Sequence, residues 1–100
     1  MTDLEITRLC AEEMELYGNE KIGWPIGNTP WDPLHDRDQA MLMVLRFRLT
    51  IEAVEVNAWR VENAEDMAKH GHDELRTGFG IDLLHAICEC VAKQRQARTV

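Results

Sequence analysis

The chain predicts an α+β fold, three helices packed on a small antiparallel sheet of about three strands. Three observations carry that reading: apolar stripes at helical spacing near both ends and in the middle, a β-branched alternating run over residues 49–61, and capping residues ahead of the first two helical stretches. With 100 residues it reads as a single domain, 1–100, long enough to bury roughly two thirds of its unfolded surface without metal or disulfide staples.

The first helix is expected over about residues 3–17. Ile6, Leu9, Cys10, Met14 and Tyr17 fall on one stripe, and the opposite face is rich in Glu. Thr2 with Glu5 has the capping-box form, Asp3 is the alternative cap, and Gly18 suits a left-handed stop. Residues 19–34 hold all three prolines, two glycines and two tryptophans, so a regular helix is not expected there. A short edge strand is placed at residues 21–24. Asp36 then caps a second helix over about residues 37–48, with Gln39 three residues on and a broad apolar stripe through Ala40, Met41, Val44 and Leu45 that calls for deep burial.

Residues 49–61 admit two readings. Leu49, Ile51 and Ala53 alternate with polar residues before the parity shifts to Val54, Val56 and Ala58, as a bulged strand or two short strands would require. A helix could also bury Ile51, Val54, Ala58 and Val61. Thr50, Ile51, Val54, Val56 and Val61 are β-branched and Asn57-Ala58 supplies a turn, so strands are favoured, with Ile51, Val54, Val56, Trp59 and Val61 as the sheet's apolar contribution. Residues 64–73 read as a loop or short helix, residues 74–77 as a third strand broken by Gly78-Phe79-Gly80. A last helix runs from near Asp82 to about Gln96, with Leu84, Ile87, Cys88 and Val91 on its apolar face.

Charge limits the function classes. Eleven Lys and Arg against eighteen Asp and Glu give a net charge of −7, which opposes direct nucleic-acid binding and favours a basic partner. Residues 1–20 hold six acids against Arg8 alone. The longest apolar run, six residues, is far below the ~20 of a membrane span. An acidic N-terminal stretch and three cysteines fit a cytoplasmic protein without leader or disulfide framework.

Candidate chemistry is sparse. His70 and His72 beside Asp73 and Glu74 offer imidazole and carboxylate ligands, but the spacing fixes no second ligand pair, and a solvated loop is the preferred reading, with no metal or cofactor assigned. Cys88 and Cys90 diverge by about 200° on a helix; Cys88 is expected in the core and Cys90 partly exposed. His85 lies beside Cys88 at helical spacing, as packing neighbours do, and the chain has no serine. No catalytic residue is assigned. Partner binding is placed on Trp24 and Trp31, held in the Pro/Gly-rich segment, and on Glu12, Glu13 and Glu15.

Trp31-Asp32-Pro33-Leu34-His35-Asp36-Arg37-Asp38-Gln39-Ala40-Met41, Ala86-Ile87-Cys88-Glu89-Cys90-Val91-Ala92-Lys93 and the opening Ile6-Thr7-Arg8-Leu9-Cys10-Ala11-Glu12 together resemble small phage and prophage proteins with the phage ABA-sandwich domain. The resemblance implies that the aromatic-Asp-Pro-Leu motif leads into a helix, that strands follow, and that the helix around Cys88 closes the fold against a sheet. Residues 63–77 depart from that pattern by being longer and more charged. It further implies a non-enzymatic accessory protein of a phage or prophage that binds, and in one variant inhibits, a host macromolecule. An acidic face imitating nucleic acid, as in an anti-CRISPR or other anti-defence protein, fits the charge. The alternatives are a metal- or small-ligand-binding protein and a structural homodimer joined through a sheet edge or through Trp24 and Trp31.

Overall fold

A computed structural model describes residues 1–71 and 74–99. Among these the chain forms four helices and a three-stranded antiparallel sheet, in the order α1 (Asp3–Glu13), α2 (Arg37–Phe47), β1 (Leu49–Glu55), β2 (Ala58–Asn63), α3 (Ala64–His70), a 3-10 turn (Glu74–Arg76), β3 (Gly78–Gly80) and α4 (Leu83–Thr99). The α+β class expected from the sequence is the one observed. Residues 49–61 are strand rather than helix, and β-branching explains the choice: those side chains lose rotamer freedom on a helix but stand clear on a pleated surface.

The layers differ from three helices on a sheet. α4 is central: one side lies on β2 and β3, and α1 packs chiefly on α4 instead of on the sheet. This is why Ala86, Ile87, Cys88, Cys90, Val91 and Ala92 are all fully buried. Cys90, expected to be partly exposed, is buried because α4 is covered on more than one side. Gly78 permits the close approach of sheet and helix, since a Cβ there would run into the carbonyl oxygen of Ala86 and the backbone of Cys90.

Several boundaries are corrected. α1 stops at Glu13 with Met14 as its C-cap, and Glu15, at φ 60°, takes the left-handed position expected of Gly18. Tyr17 therefore leaves the helical stripe and is 93% exposed. Gly18 has another task, because a side chain at that position would strike the Gly23 carbonyl. Residues 21–24 form no strand: single bridges Asn19–Gly23 and Ile26–Thr29 close two tight turns. Thr2 is the N-cap of α1, accepting from the Glu5 amide, so the Asp3 alternative is not used.

Asp36 caps α2 as expected by accepting from the Gln39 amide at 3.2 Å, and Arg48 ends it in the left-handed region at φ 52°. The Gln39 side chain does not return to its cap. It is buried and clamps the preceding loop, accepting from the Asp32 amide at 2.6 Å and donating to the Pro30 carbonyl at 2.7 Å. α2 is only half buried: Ala40 and Met43 enter the core while Leu42 and Leu45 are exposed, because no layer lies outside it among the described residues.

β1 pairs β2 from Leu49–Asn63 to Ala53–Trp59, then shifts by a bulge to Glu55–Ala58. The expected sheet core is corrected here. Val56 is in the hairpin turn and 100% exposed, and Ile51 is 37% exposed; the large or branched apolar side chains the sheet buries are Leu49 and Val61, joined by Ala58. Residues 74–77 are not a strand. Glu74–Arg76 form the 3-10 turn, and Gly78–Gly80, expected to break a strand, are themselves β3. Asp82 receives the His85 amide at 3.2 Å, and α4 continues to Thr99.

Candidate functional site

Among the residues expected to bind a partner, the two tryptophans are core. Trp24 is 7% and Trp31 6% exposed, and the Trp31 indole Nε1 donates to the Thr7 carbonyl at 3.2 Å, fixing the proline-rich segment to α1. Proline and glycine hold these rings inward, where they close the core beside Ile6 and Leu9.

The three glutamates at the end of α1 have separate environments. Glu12 meets Arg8 at 2.9 Å and Arg95 at 3.5 Å, and Glu15 reaches Arg46 at 3.5 Å. Glu13 is buried against α4, where its carboxylate accepts from Gln94 Nε2 at 2.9 Å and from Arg98 Nη1 at 3.2 Å. A shallow cleft of about 690 Å³ lies between Glu12, Glu15, Leu16, Tyr17 and Arg95. Its acids face arginines already, so little negative potential remains there for a partner.

A second acidic region was not singled out from the sequence. Asp32, Asp36 and Asp38, with Thr29, Pro30, His35 and Arg37, line an open cleft of about 600 Å³ at the start of α2. His35 Nδ1 lies 3.0 Å from Asp32 Oδ1 and 3.2 Å from Oδ2. That hydrogen bond and then the Asp32 charge raise the His35 imidazole above its usual 6.5; desolvation opposes them, and the charges of Asp3 and Asp82 each add less than desolvation takes away. Asp3 opens α1 and Asp82 caps α4, and each adds only a minor charge effect at this imidazole. A signal existed in the sequence, Asp32, Asp36 and Asp38 close together ahead of α2, but the cleft they line with Thr29 and Pro30 depends on tertiary structure.

The thiols are unsuited to nucleophilic work. Cys10 Sγ donates to the Cys88 carbonyl at 3.3 Å, and its pKa is raised by its hydrogen bond with Cys88 and then by burial. Burial pushes the Cys90 thiol up to about 12. His85 lies 3.8 Å from Glu89 and is half-buried, whereas Cys88 is sealed in the core. His70 is exposed at the end of α3, and the rest of the proposed His70–His72 ligand pair, with Asp73, lies outside the described residues. Among the described residues no three His, Cys, Asp or Glu side chains are grouped to hold an ion, and no helix is long and apolar enough to cross a membrane.

No protein-family model, curated protein or solved structure matches the chain.

Proposed function

We propose that this chain is a non-enzymatic accessory protein that docks on a macromolecule with a basic surface, presenting the aspartates around His35 as the negative pole of the contact. The phage or prophage setting follows from the sequence resemblance, and inhibition of a basic nucleic-acid-binding groove by imitation of a polyanion is the mode best suited to the charge. One observation supports the reading most: Asp32, Asp36 and Asp38 line one open cleft with His35 and Arg37, while Glu12, Glu13 and Glu15 are engaged with arginines. Exposed carboxylates on a chain of net charge −7 steer a cationic partner inward and lose that pull as salt rises.

The test is capture from a bacterial lysate at low and high salt, with the wild type beside an Asp3→Lys/Asp38→Lys variant. A protein retained at low salt, released at high salt and not retained by the variant is the expected result. Retention indifferent to both salt and variant would refute the polar docking mode.

A further inference from the structure

The sheet treats its two edges differently. At the β3 edge the Phe79 amide points away from β2 and donates to Glu89 Oε1 of α4 at 3.2 Å, so a side chain covers the free donor. The β1 edge has no strand beyond it among the described residues; its seven residues include neither proline nor lysine, and its edge features are Glu52, Glu55 and the bulge between Ala53 and Glu55.

Which main-chain groups face that edge follows from the ladder. The Ala64 amide donates to the Arg48 carbonyl at 3.3 Å, which sets the hydrogen-bonding parity of the ladder at 48 and 64, although the Arg48 amide itself turns back to the Val44 carbonyl. Alternation along an antiparallel ladder then turns Thr50 and Glu52 toward β2 and leaves Leu49, Ile51 and Ala53 with their N–H and C=O groups directed outward. The Phe79 amide obeys the same parity across β2, opposite Arg60 and pointing outward.

The outward set is self-complementary. A second β1, antiparallel and centred on Ile51, pairs Ile51 with its own copy and Leu49 with Ala53 of the other chain, so that all three residues on each chain exchange main-chain hydrogen bonds. The intervening positions put Thr50 opposite Glu52, and Glu52 is already held by Arg60 at 2.9 Å. No carboxylate meets a carboxylate. Centring on Glu52 would set two glutamates against each other, and centring on Ala53 would run into the bulge between Ala53 and Glu55. Ile51 supplies an exposed apolar side chain at the dyad, and Leu42 and Leu45 are exposed on α2, the helix packed against β1.

We propose that the β1 edge is a homodimer interface in which two chains join antiparallel through Ile51 into one six-stranded sheet. This inference goes beyond docking at the acidic pole and uses a different surface. Two chains of charge −7 repel, so added salt strengthens the dimer, the opposite of its effect on a basic partner.

Sedimentation of the full chain over a range of concentrations and salt tests it. The expected result is a monomer–dimer equilibrium shifted toward dimer by salt, lost in Ile51→Lys and kept in Val56→Lys, which makes the same charge change at the hairpin tip. An Ile51→Cys chain supplies an independent reading. Paired Cα atoms in such a dyad lie about 5.5 Å apart, within disulfide reach, and the three native thiols are buried. Mild oxidation should give a covalent dimer of Ile51→Cys and none of Val56→Cys. A wild type that stays monomeric at every concentration and salt, leaving the edge to a foreign strand, would overturn the proposal; so would a dimer that survives Ile51→Lys, or failure of Ile51→Cys to cross-link.

Discussion

Gln94 on α4 donates to the buried Glu13 carboxylate on α1 at 2.9 Å, and its amide oxygen accepts from Asn63 at the end of β2 at 3.0 Å. One side chain thereby ties the outer helix, the central helix and the sheet. Asn63 extends the relay: Nδ2 also donates to the Phe47 carbonyl, and Oδ1 caps α3 by accepting from the Glu65 and Asp66 amides. Buried polar groups satisfied on every side fix register, and losing one member leaves the others dry and unpaired.

Glu13→Ala is therefore expected to cost about 1–3 kcal/mol, because the Gln94 amide loses a buried acceptor. Arg98 adds little to that figure, since its side chain is mostly solvated. Urea unfolding of the two proteins measures the difference. A loss close to zero would mean that Gln94 finds water or another acceptor.

Gly78→Ala should be more damaging than an ordinary strand substitution. The new methyl group would meet backbone atoms of α4 that cannot rotate away, so sheet and helix must separate, at about 1–3 kcal/mol or more. Thermal unfolding by circular dichroism checks it, with Gly80→Ala as the comparison, since a Cβ at Gly80 meets open space.

Arg48 offers a gain. It ends α2 at φ 52°, a conformation that costs an L-residue with a Cβ about 1–2 kcal/mol and glycine almost nothing. Arg48→Gly is expected to raise stability by up to about 1 kcal/mol once the greater freedom of glycine in the unfolded chain is included. A fall in the urea midpoint would show that the arginine side chain contributes more than its backbone costs.

His35 fixes a pH dependence. Its folded pKa is raised above 6.5, so protonation is favoured in the folded state; the resulting stabilisation is fully present below 6.5 and is lost as pH rises through the folded value. Because the imidazole is exposed the effect on stability is small. The direct check is its NMR titration: the midpoint should lie above 6.5, and Asp32→Asn should lower it by removing the carboxylate charge that strengthens the hydrogen bond.

What was legible in the sequence was local. The Thr2 and Asp36 caps, the strands around a turn near Asn57 and the apolar face of the last helix all follow from residue spacing and intrinsic conformational preference. The misplaced features depend on what covers what. Trp24 and Trp31 turned inward because α1 supplies a carbonyl for the Trp31 indole, Cys90 was sealed by a second layer over α4, and Leu45 stayed outside for want of one. β3 was displaced to Gly78–Gly80 because only a glycine permits α4 so close. The same limit explains the candidate site. Glu12, Glu13 and Glu15 are conspicuous in the sequence, yet apart from Arg8 the arginines that engage them come from elsewhere in the chain, whereas Asp32, Asp36 and Asp38 line an open cleft with His35.

The most direct test of the docking reading compares charge reversal at the two acidic regions, Asp38→Lys beside the His35 cleft and Glu15→Lys at the end of α1, by calorimetric titration of the captured basic partner. The account predicts that Asp38→Lys weakens binding and flattens its salt dependence while Glu15→Lys leaves both nearly unchanged. Weakening by Glu15→Lys alone, or by neither substitution, would contradict it.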